Sequence, residues 1–363
     1  MRRRYGWLAL LALVACTAPP SAAPKAASAP AAQPPTAPAA SAPTAAPAAA
    51  SVQPLPGKVT IAYSSISGTF LPAFLAADEG LFTKYGVDAD LTYVASGTTA
   101  TQSLLAGDVQ FVVTSGGEVA AAYLGGAPTR IVLSWMRTLP SVFMVQPSIT
   151  SPEQLRGQII GITRFGGQPH TAVRLALRGW GLDPDNDVQY LQLGGVAEIM
   201  AATLSGQVAG GSYSPPTNVQ ARKEGLRVLS DPARTGLPYP GSILEALQPY
   251  LEANPQAVRR VVQAMLEGIK VSAEDDAATY ATLAKYTKTD DRELLAATVD
   301  FYRSILDKVP YQRPEGVQTV LDDLAENDPR AASTRPEELV NTDALAQLDR
   351  EGFLKQLYPG DAR

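Results

Sequence analysis

The chain has 363 residues, 45% of them hydrophobic, and 30 Lys and Arg stand against 35 Asp and Glu for a formal net charge of −5. A globular composition with an acidic balance and no basic patch excludes nucleic-acid binding driven by phosphate contacts. A single cysteine and a single histidine exclude an intramolecular disulfide and leave too few ligands for a Cys/His zinc centre.

The first predicted element is an export signal. Arg2-Arg3-Arg4 form a basic start and an apolar run follows from Trp7. That run is shorter than the ~18 apolar residues a membrane span needs. Leu13-Val14-Ala15-Cys16 resembles the bacterial lipobox, so residues 1–16 are expected to be a lipoprotein signal with Cys16 as the lipidation site. One acyl chain anchors only marginally at ~0.8 kcal/mol per buried methylene, whereas two or three hold stably. The expected location is a bacterial cell envelope, facing the periplasm or exterior, with the membrane touched through the lipid alone. Residues 17–56 are almost wholly Ala, Pro, Ser, Thr and Gln. Frequent proline biases such a segment toward an extended spacer, here reaching at most on the order of 100 Å.

About 300 residues remain, more than one core usually spans, so two lobes are expected. Val59 to Ala62 reads as a buried strand, Ser64 to Gly68 as a loop, and Phe70 to Ala77 as a helix. Leu91 to Val94 reads as a strand, Ser96-Gly97 as a helix start, and Leu104 to Val109 as a helix end. The same grammar returns about one hundred residues later, with a strand at Val188 to Leu193 and a helix opened by Gly194-Gly195. Helices alternating with short strands imply an α/β fold with mainly parallel sheets flanked by helices. The stretch after Tyr239 reads as long amphipathic helices with few strands: Ala257, Val258, Val261, Val262, Met265, Leu266 and Ile269 make one apolar stripe, and further helices are expected around Tyr280 to Tyr286, Leu294 to Leu306, Val317 to Leu324 and Ala344 to Phe353.

In parallel sheets ligands sit beyond the carboxyl ends of the strands. The loops following predicted strands are therefore the candidate site. Ser64, Ser65, Ser67 and Gly68, then Ser96, Gly97 and Thr98, then Thr114, Ser115 and Gly116 repeat a hydroxyl-and-glycine chemistry suited to a small polar ligand. Each serine or threonine is also an ordinary helix N-cap. Thr163 to Thr171 is the richest loop: Gly167 lets backbone approach a ligand, and Arg164, His170 and Thr171 stand where the next helix begins. Gly194 offers a further close approach, and Trp135, Tyr213 and Tyr239 are candidate aromatic walls, although such residues also fill cores. Glu118 and Glu198 are the nearest acids, a scarcity that disfavours a cationic ligand.

Catalytic chemistry finds no foothold. There is no Gly-x-Ser-x-Gly elbow and no phosphate loop, and Gly179-Trp180-Gly181 lacks the third glycine of a dinucleotide fingerprint. Asp275-Asp276, Asp290-Asp291 and Asp322-Asp323 read as solvated helix faces. No enzyme, cofactor or metal is expected.

Ala77-Asp78-Glu79-Gly80-Leu81-Phe82, Leu105-Ala106-Gly107-Asp108-Val109, Leu155 to Gly161, Leu175 to Leu182 and Tyr250 to Pro255 resemble, in order and spacing, the SsuA/THI5-like (NMT1) solute-binding proteins of ABC importers. The resemblance covers nearly all of Lys58 to Tyr358. It implies a periplasmic-binding-protein type II fold with a helical C-terminal region, lobe 1 from 57–145 and 242–363, lobe 2 from 146–241, and hinge crossings near Ser141 to Pro147 and Pro240 to Leu247. It further implies a sulfonate-, nitrate-, taurine- or pyrimidine-like ligand between the lobes, an ABC permease and ATPase complex as partner, and a monomer. Gly166-Gly167-Gln168 and Gly210 to Pro216 depart from the family pattern at the expected cleft. A solute-sensing role remains the alternative, because the residues read alike for import and for signalling.

Overall fold

The structure is a computed structural model that describes residues 53–360. Cys16 and nearly all of the predicted spacer lie outside the described residues. Ten strands form two five-stranded sheets. The first contains β1 (Lys58–Tyr63), β2 (Asp88–Tyr93), β3 (Phe111–Thr114) and β4 (Thr129–Thr138). The second contains β5 (Val142–Val145), β6 (Ile159–Ile162), β7 (Gln189–Gln192), β8 (Gly210–Tyr213) and β9 (Arg227–Ser230). β10 (Pro238–Leu247) then returns to the first sheet.

The strand orders are β2-β1-β3-β10-β4 and β7-β6-β8-β5-β9. In each sheet one strand opposes its neighbours: β10 runs antiparallel to β3 and β4, and β5 antiparallel to β8 and β9. Both are the first strand after the chain changes sheets, so the sheets are mixed but mainly parallel, as the α/β expectation requires. The passages between sheets fall at 139–141 and 231–237.

Sequence explains the layers. β3, Phe-Val-Val-Thr, is buried throughout, as a central strand covered on both faces must be. β1 alternates in burial from Lys58 to Ile61, pairs with β2 along its whole length and meets β3 from Ile61 on. The helix Leu71–Asp78 is apolar on nearly every side, and Leu71 to Ala76 are all buried. The long helix Pro255–Glu274 packs on it through Val258, Val261, Val262, Met265, Leu266 and Ile269. A side chain at Gly268 would run into the Pro72 carbonyl, so the two helices cross at backbone distance.

The C-terminal helices Asp276–Thr287, Arg292–Ile305, Pro314–Ala325 and Asp343–Arg350 match the predicted periodic segments. Asp275 and Asp291 from the carboxylate pairs serve as N-caps, accepting from the amides of Ala278 and of Glu293 and Leu294. Asp323 departs from the solvated-face expectation. It is 3% exposed on Pro314–Ala325, where the helix turns toward Gln168–Gly179 and its arginines.

Candidate functional site

The loops beyond the carboxyl ends of the parallel strands of both sheets converge. From the first sheet come Ser64 and Ser65 after β1, Ser96 and Gly97 after β2, and Ser115 and Glu118 after β3, together with Thr114 at the end of β3. From the second come Thr163 after β6, then Gln168 and Pro169 at the start of the helix Gln168–Gly179. With Phe70 they enclose about 40 Å³, space for little more than one water. A larger guest enters only if the two jaws part.

Hydrogen bonds close the jaws. The Gln168 amide donates to Glu118 Oε1 at 2.9 Å, and Gln168 Nε2 donates to the Gly241 carbonyl at 2.8 Å. The Gly68 amide and Ser67 Oγ both donate to the Pro215 carbonyl, at 3.1 and 3.2 Å. Thr98 Oγ1 donates to the Phe165 carbonyl at 3.3 Å. Further out lies an ion cluster. Asp323 accepts from Arg174 Nε at 3.4 Å and pairs more closely with Arg178, which also reaches Glu326 at 2.6 Å. Arg174 also pairs with Asp185, whose other oxygen takes the Asn327 side chain at 3.1 Å. Burial pushes the Asp323 carboxyl up, and the two guanidiniums pull it back.

Two buried carboxyls set the electrostatics. Glu118 is 5% exposed, in the first turn of the helix Gly116–Leu124, and accepts from the Ser115 hydroxyl as well as the Gln168 amide. Burial raises its pKa, and the hydrogen bonds to the Ser115 hydroxyl and to backbone amides oppose that. Behind it Glu245 on β10 accepts from Thr101 Oγ1 at 2.8 Å, while Oε1 has no partner. Burial, with Glu118 adding, pushes Glu245 up to about 8, so it is largely protonated at neutral pH. A side chain at Gly97 would strike the Glu118 carboxylate and the Thr114 hydroxyl, so glycine is required for their approach.

Of the residues singled out in the sequence, Ser65, Ser96, Gly97 and Ser115 line the enclosed space. Gly167 lies beside it, where a Cβ would meet Thr163 Oγ1 at 2.9 Å. Ser67, Gly68 and Thr98 serve the jaw contact described above. Gly116 packs against Pro240, and Gly194 holds φ 89° with its amide on the Thr163 carbonyl. Arg164 is exposed. Trp135 and Tyr213 are fully buried in separate cores, donating to the Thr69 carbonyl at 2.8 Å and bonded to Thr203 at 2.6 Å. Tyr239 is buried between the jaws, 3.4 Å from Ser115 Oγ and bonded to Thr171. Glu118 and Gln168 carry the central contact. The Ser115-x-x-Glu118 spacing behind a buried strand, a capping-box pattern, was the signal for the first.

His170 stands apart from the enclosed space. Its ring meets Tyr190 and Phe165 edge-on at 4.8 and 5.2 Å, and Nδ1 accepts the Gly166 amide at 3.2 Å. Burial, then Arg174, holds its pKa down to about 4. A histidine kept neutral when folded contributes stability above about pH 6.5 that is lost as pH falls toward 4. We expect His170→Gln to flatten the midpoint-versus-pH curve across that window; an unchanged slope would contradict it.

A larger groove of about 950 Å³ runs along the passage 231–237 and residues 301–316. Its three arginines, Arg137, Arg234 and Arg313, are matched by three acids, Asp231, Asp307 and Glu315, so its formal charge is balanced. Among the described residues no group of His, Cys, Asp and Glu is arranged to hold a metal, and no helix is long and apolar enough to cross a membrane.

Comparison with known proteins agrees with this geometry. No curated protein matches the chain by sequence. A protein from Bordetella bronchiseptica RB50 superposes with a TM-score of 0.73 at 22% identity, covering 84% of this chain and 98% of its own. The periplasmic aliphatic sulphonate binding protein SsuA from Escherichia coli gives 0.61 at 22%, covering 79% and 92%. The periplasmic nitrate-binding protein NrtA from Synechocystis PCC 6803 gives 0.60 at 13%, covering 83% and 89%. These likenesses identify the fold as that of periplasmic binding proteins. Residues 67–278 match the family described as NMT1/THI5 like, and the chain belongs to that family.

Proposed function

We propose that the protein is the extracytoplasmic solute-binding component of an ABC importer, anchored through a lipid on Cys16, which captures a small polar molecule between its jaws and delivers it to a permease. The observation that carries this reading is the convergence of strand-end loops from both sheets on one polar space. Contacts from both jaws stabilise the shut form, and the change of shape is what a membrane partner reads. The family membership and the fold neighbours support a binding role over an enzymatic one. The lining supports it too, since hydroxyls, amides and a carboxyl suited to hydrogen-bonding a small polar molecule face the space.

A thermal-shift screen tests this, because a ligand that binds only the folded form stabilises it by about 2.7 kcal/mol at one hundred times its Kd. At least one class among sulfonates, nitrate, amines, pyrimidines and aromatic acids should raise the midpoint. A flat response across all classes would contradict the reading.

A further inference from the structure

The cleft holds an acceptor carboxyl of its own where an anion would be expected to lie. The helices Gly116–Leu124 and Gln168–Gly179 come from different sheets, yet both N-termini meet at the Glu118 carboxylate. A helix N-terminus favours negative charge, and here the chain itself supplies it. Among the described residues no lysine or arginine pairs with Glu118 or with Glu245 behind it. An anionic guest would therefore approach a buried carboxylate with no cation between them.

A glutamate at the third position of a helix often does no more than cap its own first turn. Glu118 does something further. Its Oε1 is committed to the Gln168 amide of the opposite jaw, so when the jaws part that oxygen loses its protein donor. Open jaws give that oxygen to water, and a guest seated between them in place of the Gln168 amide must supply a donor of its own.

A second, independent feature points into the same space. Ser96, 4% exposed on the cavity wall, has an Oγ with no partner. Its backbone sits at φ 75°, ψ 132°, a strained conformation for a residue other than glycine. Strain of this kind persists where the surroundings hold a residue to a task, and the hydroxyl it presents is unspent.

Resting on the solute-binding reading above, we infer that the cleft takes a small molecule bearing an N–H donor, an amine, amidine or amino-heterocycle, with Glu118 as its acceptor and the Ser96 hydroxyl as a second contact. A sulfonate or nitrate then brings acceptor oxygens where the cleft of this member of the family calls for a donor. The weight given to scarce acids in the sequence is reversed, since one buried carboxylate at the centre outweighs several at the rim.

Calorimetry on the full chain separates the possibilities, with 4-aminopyrimidine, cytosine and putrescine as donor probes and ethanesulfonate and nitrate as anion probes. A donor probe should bind tightest, Glu118→Gln should weaken it at least ten-fold, and Ser96→Gly should weaken it less. Ser96→Gly suits the positive φ, so its fold is secure and its loss of affinity reports the hydroxyl even if Glu118→Gln folds poorly. Tighter binding of ethanesulfonate or nitrate would overturn the inference while leaving the receptor reading intact. Binding of no probe would count against both. Unchanged donor affinity in both variants would overturn the inference alone.

Discussion

Replacing Asp323 by Asn should lower apparent ligand affinity by about two orders of magnitude and let the jaws separate. Asp323 joins Arg174 and Arg178 across the jaw contact, and its side chain is 2% exposed, against 6% and 18% for its partners. Removing one member of a buried ion pair costs on the order of 3–5 kcal/mol, because the partner is left charged and poorly solvated. Here that cost has an escape, since opening the jaws returns both guanidiniums to water. The loss therefore falls on the population of the shut form, and affinity drops in proportion to that population. Global unfolding should change less than affinity does. The exposed pairs from Lys223 to Asp291 and Glu293 cross the same divide as a control. Lys223→Ala should leave both affinity and dimensions close to those of the parent protein. Calorimetry and small-angle scattering would check both, and an Asp323→Asn protein with native affinity and native dimensions would contradict the latch.

The second large effect is expected at Trp135. Trp135→Ala should destabilise the fold by about 3–5 kcal/mol, the range for truncating a buried aromatic. The indole is fully buried in the main core, and its N–H satisfies the Thr69 carbonyl. That carbonyl lies in the short helix Gly68–Phe70, whose N-cap Ser67 grips Pro215 of the other jaw. The substitution thus leaves a cavity and an unpaired acceptor under one of the jaw contacts. Urea titration would measure the loss. A change under about 1 kcal/mol accompanied by a collapse of ligand affinity would show that Trp135 instead stacks on the guest.

Much of the fold was legible because each element repeated a local rule. The strand-loop-helix grammar after Val59 recurs after Val188, and the apolar stripe on Pro255–Glu274 has the spacing of one helix face. The cleft was legible as loops, because ligand sites follow strand carboxyl ends whatever the side chains. Pairings distant in sequence were not legible. Nothing local distinguishes Asp323 from Asp322, one buried against arginines about 150 residues earlier and the other facing out. Trp135 and Tyr213 illustrate the same limit. An aromatic on a strand can face a cleft or a core, and only the packing of the second layer decides. Glu118 stood in the sequence as a nearby acid, yet its bond to the Gln168 amide of the other jaw was not legible there.

The most direct test is the distance across the mouth of the cleft. Tyr93 and Glu198 are exposed and lie on opposite jaws, and burial followed by the Glu198 charge raises the pKa of the Tyr93 hydroxyl. Spin labels at Tyr93→Cys and Glu198→Cys, in a Cys16→Ser background, would report that distance by pulsed electron resonance. With the probe that gives the largest thermal shift, the distribution should narrow and move to its short end. In Asp323→Asn it should broaden toward long distances. A single distribution indifferent to both would contradict a receptor that works by closing its jaws.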